Sequence, residues 1–84
     1  MPYTVTILRR AQRELAQVPP GSYERIRDAI RALAENPRPP GSTKLAAREG
    51  WRIRVGDFRV IYEVDDRQHT VTILHIGHRR DVYR

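Results

Sequence analysis

Cysteine is absent from this 84-residue chain. No disulfide or thiolate metal site can supplement its core, and the absence fits a reducing compartment. Long apolar runs are missing as well, and nothing approaches the roughly 20 apolar residues of a membrane-spanning helix. The opening residues, Met1 to Val5, enter a strand-like pattern directly, without the charged and apolar regions of a signal peptide. A cytoplasmic location with no membrane partner is the expectation. Lysine is nearly absent: of 16 basic residues only Lys44 is a lysine, and the rest are arginine. Against 10 acidic residues this leaves a formal net charge of +6. Such an excess points to an anionic partner, nucleic acid first and an acidic protein second. Arginine suits phosphate in particular, because its planar fork donates two parallel hydrogen bonds. At this length the chain is a single domain, with a smaller buried share of surface than a large one.

What the chain does have is an arginine-bearing hairpin. Apolar and polar residues alternate from Trp51 to Val55, and Phe58, Val60, Tyr62 and Val64 continue the alternation. Gly56 and Asp57 between the runs suit a two-residue turn, which fixes the register. Val55 then faces Phe58, Arg54 faces Arg59, Ile53 faces Val60, and Arg52 faces Ile61. The spacing therefore puts Arg52, Arg54 and Arg59 on one side of the sheet, opposite the core. Like charges directly across a ladder are destabilising, so concentrated positive charge here has a use.

The remaining elements follow from period and punctuation. Tyr3, Val5 and Ile7 alternate with threonines, predicting a first strand. Leu8, Ala11, Leu15 and Val18 predict a helix over 9–18, ended by Pro19, Pro20 and Gly21. Ser22 is the expected N-cap of a second helix whose stripe is Tyr23, Ile26, Ile30 and Leu33, fraying near Asn36 and Pro37. A proline-rich loop leads to a short strand over 43–46, then the hairpin, a polar turn over 65–69, and a strand over 70–77. Apolar residues on both faces of that last strand predict a central position. The fold class is α/β two-layer (α+β): strand, two helices, then an antiparallel strand meander, with the helices packed on one sheet face.

These elements resemble the RelE/ParE superfamily of bacterial toxins, on its RelE side. The resemblance spans the chain and rests on Lys44-Leu45, Trp51 to Val55, Phe58 to Tyr62, and Gly77 to Tyr83 in this order and spacing. It implies a RelE-like microbial ribonuclease fold with the first strand beside the last. It also implies a ribosome-dependent endoribonuclease that cuts messenger RNA in the decoding site, uses no metal or organic cofactor, and is held inactive by a cognate antitoxin. By position, Arg52 and Arg54 match two basic residues, commonly lysines, before the hairpin turn. Arg59 matches an arginine that binds the scissile phosphate. Arg79 matches a basic residue proposed to protonate the leaving group, and Tyr83 an aromatic residue that holds the nucleotide. Lys44 and Arg80 are expected to add RNA contacts.

RNA cleavage by its own 2′-hydroxyl needs a proton acceptor, charge stabilisation at phosphorus, and a proton for the leaving 5′-oxygen. Arginine supplies the second and, always protonated, cannot supply the first. Where relatives carry lysines this chain carries Arg52 and Arg54, so a lysine-base mechanism does not transfer to them. Three sources of the base stay open: His78 at the end of the last strand, Lys44, or no protein base at all. Arg79 is read mainly as charge stabilisation. His75, in mid-strand, reads as a structural histidine on the face opposite His78, and His69 as an inert turn residue. Trp51, Phe58 and Tyr62 read as core. With no cysteine and few histidines, no metal site is expected. A gyrase-poisoning ParE-like protein, or a nucleic-acid-binding homologue without activity, are the competing readings.

Overall fold

The computed structural model describes residues 2–78. β1 (Thr4–Ile7) is followed by α1 (Arg9–Ala16), α2 (Pro20–Ala32), β2 (Thr43–Lys44), β3 (Trp51–Val55), β4 (Phe58–Asp65) and β5 (Thr70–His78). The strands form one sheet in the order β1-β5-β4-β3-β2. β1 runs parallel to β5, and the other pairs are antiparallel. The first strand therefore lies beside the last, and the two-layer α+β architecture is the observed one.

Both helices bury one stripe on the same sheet face. Ala11 and Leu15 of α1 and Ile26 and Ile30 of α2 enter the core with Leu33, Ile53, Val60, Tyr62, Val71, Ile73 and Ile76. Two helical boundaries differ from the sequence expectation. α2 begins at Pro20, with Pro19 in the cap position, so Ser22 lies inside the first turn and caps nothing. Proline is at home there, because the first helical N–H has no partner to lose and φ is already set. α1 ends at Ala16, and Leu8 is 43% exposed rather than part of the buried stripe. Likewise β2 is limited to Thr43 and Lys44.

The β3–β4 register is the expected one, with Val55 opposite Phe58, Arg54 opposite Arg59, Ile53 opposite Val60 and Arg52 opposite Ile61. Gly56 adopts φ 60°, while Asp57 stays at negative φ. That combination is a type II′ turn, whose twist matches the flanking strands. β5 holds an irregularity that the alternation did not predict. Tyr62 pairs with Ile73 but Ile61 pairs with His75, leaving Leu74 as an extra residue. This is a β-bulge, and it reverses the side-chain parity of the strand beyond it.

β1 covers only the first half of β5, from Thr70 to Ile73. Past that point α1 takes over the exposed edge. The Leu8 N–H donates to the Ile73 carbonyl at 3.0 Å, and the Ile76 N–H donates to Glu14 Oε1 at 2.9 Å. A helix side chain thus accepts from a strand edge that would otherwise be open to another chain.

Tyr62 anchors the crossing between helices and sheet. It is fully buried, and its hydroxyl donates to the Pro37 carbonyl at 2.7 Å. Burial pushes its phenol up to about 12 from the ordinary 10.0, although Ser42 and the Arg38 charge pull it down. A raised folded-state value means that the contribution is complete below about pH 10 and is lost as pH rises through about 12. Tyr62→Phe leaves the Pro37 carbonyl without its donor. It is expected to lower stability by about 1–2 kcal/mol at neutral pH, and to flatten the alkaline loss. Urea unfolding at pH 7 and pH 10–12 checks both, with an unchanged slope showing that only stability moved.

Candidate nucleic-acid interface

Register alone builds the site on the sheet face turned away from the helices. Strands in a sheet lie about 4.8 Å apart, and successive residues on one face are about 7 Å apart along a strand. One row across β5, β4 and β3 reads Gly77, Arg59, Arg54. The next row on that face reads His75, Ile61, Arg52 and, on β2, Thr43. Arg52, Arg54 and Arg59 are therefore brought together, with Arg54 exposed and the other two half-buried. Gly77 carries no side chain, so the row containing Arg59 is open on its β5 side.

A wall borders the second row. Between β2 and β3 the chain turns back on itself, and the Leu45 N–H donates to the Gly50 carbonyl at 3.0 Å. Gly50 is buried at φ 128°, and a Cβ there would meet the Tyr62 carbonyl oxygen at 3.1 Å. Only glycine fits that backbone without strain. The turn leaves a cavity of about 370 Å³ lined by residues 43–48 together with Arg52, Ile61 and His75. Leu45, Ala46, Ala47 and Ile61 make it apolar, while Arg52 and His75 give it a polar side. Ile61 is 3% exposed although it lies away from the helix-packed core, because this segment covers it. Arg52 and Arg54 border a second hollow with Pro40, Gly41 and Thr43.

Lys44 pairs with Trp51, so its register assigns it to the opposite face from Arg52, although at the sheet edge it also lines the cavity. By register His78 takes the face opposite Arg52, Arg54 and Arg59. It pairs with Phe58 on the helix-facing side, and their rings meet edge to face at 5.8 Å. His75 takes the arginine face instead, because the bulge at Leu74 reverses the parity. Its Nδ1 lies 2.6 Å from Glu14 Oε2. Arg79, Arg80 and Tyr83 lie outside the described residues. Among the described residues no three His, Asp or Glu side chains converge as metal ligands do.

Other arginines are spent elsewhere. Arg38 grips Asp66 through both terminal nitrogens, at 3.2 and 2.8 Å, and lies 5.2 Å from the Trp51 ring centre. The Tyr3 hydroxyl donates to the same carboxylate at 2.6 Å. Arg38 and then Tyr3 hold Asp66 below the usual carboxylate range. Arg25 was not singled out by sequence reasoning, yet a Cβ on Gly56 would meet its Nη1 at 3.5 Å. It adds charge at the hairpin tip. Helix periodicity placed it off the apolar stripe but could not show which end of the sheet it reaches. For His75 the signal was the consecutive apolar pair Ile73-Leu74 just before it, which breaks period-two alternation.

The molecule is thus a small basic α+β domain with Arg52, Arg54 and Arg59 gathered on one sheet face. The description "ParE toxin of type II toxin-antitoxin system, parDE" matches residues 4–83. The chain is 35% identical to toxin RelG of Mycobacterium tuberculosis over 86 residues, covering 100% of this chain and 99% of that protein. It is 37% identical to toxin RelE of the same organism over 89 residues, covering 99% and 88%. Its fold is similar to the archaeal RelE–RelB complex from Pyrococcus horikoshii, with a TM-score of 0.84 and 28% identity over 98% of this chain and 100% of that one. The chain belongs to the ParE toxin family, as a type II toxin–antitoxin toxin of the RelE/ParE superfamily.

Placing Arg54 opposite Arg59 has a cost in stability. Arg54→Thr removes a like-charge pair and inserts a good strand former. It is expected to raise stability by a few tenths to about 1 kcal/mol, most clearly at low salt, while weakening binding to single-stranded RNA. Denaturant melts and salt-dependent binding to a short oligonucleotide check the opposed effects.

Proposed function

We propose that this toxin is an endoribonuclease that cuts messenger RNA on the ribosome, in the decoding site, by attack of the 2′-hydroxyl on the adjacent phosphate. The convergence of Arg52, Arg54 and Arg59 on one face carries the proposal. Arg59, half-buried and flanked by the open row at Gly77, holds the scissile phosphate and meets the charge that develops on it. Arg54, directly opposite, and Arg52, on the next row, position the backbone and share that charge. Fixed planar donors aimed at developing negative charge need no rearrangement as the reaction proceeds. Arg79 adds charge near the leaving oxygen and Tyr83 stacks on a base, both by resemblance. Lys44 and Arg80 contribute general attraction to RNA. No metal takes part.

A cognate antitoxin is the proposed stable partner. The related proteins from Pyrococcus horikoshii were solved as a RelE–RelB complex, and a chain with net charge +6 suits an acidic segment that folds as it docks. A second reading draws on the ParE description of the matched family: a toxin that poisons DNA gyrase with the same fold.

Translating a defined message with the purified protein and mapping the RNA ends separates the two. Codon-positioned cuts are expected, with 2′,3′-cyclic phosphate ends and no dependence on added chelator. Arg59→Ala is expected to slow cleavage by about 100- to 1000-fold. Intact message together with trapped gyrase–DNA complexes sinks the nuclease reading.

A further inference from the structure

The arginine face stabilises charge but holds no arginine able to take a proton. The histidine that shares this face is His75, opposite Ile61 and diagonal to Arg59, in the cavity that Arg52 also lines. Diagonal neighbours on one face of an antiparallel pair lie about 7–8 Å apart between backbones, within reach of long side chains. The gap at Gly77 sits beside both. A carboxylate from α1 approaches the imidazole at Nδ1. Nδ1 is buried and lies 2.6 Å from Glu14 Oε2, within ion-pair distance but without the alignment of a hydrogen bond. Glu14 is itself placed by the Ile76 N–H on Oε1 at 2.9 Å, with Arg10 Nε 3.4 Å from Oε2.

A carboxylate can only accept, so its closeness favours the tautomer with hydrogen on Nδ1, the nitrogen beside it. The neutral ring then has its lone pair on Nε2. With Nδ1 buried, the 17% exposure of this side chain belongs to its remaining atoms. Given the nuclease reading above, on which this rests, we infer that His75, oriented by Glu14, is the proton acceptor for the 2′-hydroxyl. Nε2 takes the hydroxyl proton as the 2′-oxygen bonds to phosphorus. The bond from phosphorus to the 5′-oxygen breaks, and that oxygen takes a proton from water. The hydroxide left behind is neutralised by the proton that His75 releases, so the ring is restored and nothing is oxidised or reduced. His75 is the catalytic residue and Glu14 a positioning residue. The charged groups on the elements around the ring are Glu14 and Arg10 from α1, Arg52 from β3, Arg59 from β4, and Lys44 and Arg48 from the cavity wall, with His78 further along its own strand.

Glu14→Gln tests the orientation at constant shape. The Ile76 N–H holds the amide oxygen, which turns the amide NH₂ towards Nδ1 and forces the ring hydrogen onto Nε2. Cleavage of ribosome-bound message by this variant, and by His75→Ala, is expected to fall by about 100-fold or more. Added imidazole is expected to restore His75→Ala in part and to do nothing for Arg59→Ala. Nitrogen-15 NMR of the histidine rings reads the tautomer independently of activity: Nδ1–H in the wild type, Nε2–H in Glu14→Gln. Thermal melts show which variants are folded, and the isosteric Glu14→Gln carries the test if His75→Ala is not. A wild type that cuts message while both variants cut at an equal rate overturns the base assignment and leaves the nuclease reading standing. A wild type with hydrogen on Nε2 overturns it as well. A wild type that leaves message intact fails at the earlier step, removing the nuclease reading and the base with it.

Discussion

β4 is paired along its length with β5 on one side and over residues 58–62 with β3 on the other. Its alternation therefore dictates which face every opposing residue takes. Phe58, Val60 and Tyr62 look towards the helices and carry Val55, Ile53 and Trp51 with them. Arg59 and Ile61 look the other way and take Arg54 and Arg52. Core and anion face are thus two readings of the same ladder. A one-residue slip anywhere in it would exchange the two sets, burying guanidinium groups and exposing the aliphatic core. The two-residue turn at Gly56 and the full burial of Tyr62 resist that slip from opposite ends of the hairpin.

Charge concentration is tolerated because the core is elsewhere. Arginines placed opposite one another repel, and the penalty is offset by the apolar residues on the reverse of the same strands. The chain also removes cationic charge where it is not needed: Arg38 is neutralised by Asp66 at the far end of the sheet, and Arg10 lies beside Glu14. Arg52, Arg54 and Arg59 are gathered on the face that the helices leave open.

The hairpin was legible because its turn length and alternation leave no freedom. Two opposed periodicities, one apolar and one arginine, determine the register without any other part of the molecule. The helix stripes at Ala11, Leu15, Ile26 and Ile30 were legible for a similar reason, being local and periodic. The start of α2 was misread because Ser22 is a good capping residue in isolation, whereas proline at the first helical position needs no cap hydrogen bond. The choice between the two strand histidines was not legible. It depends on whether Leu74 is counted into the alternation, and that is decided by pairing with a strand distant in sequence. Nor could the sequence show that a helical glutamate reaches the edge of β5, since Glu14 and Ile76 meet only through the fold.

The extra residue in β5 also separates two surroundings within one strand. Residues 70–73 lie between β1 and β4, while residues 75–78 pair with β4 on one side and have α1 at the other. The bulge is a slack joint between them. One strand can therefore turn Val71 and Ile73 into the core, place His75 on the arginine face, and return Ile76 to the core.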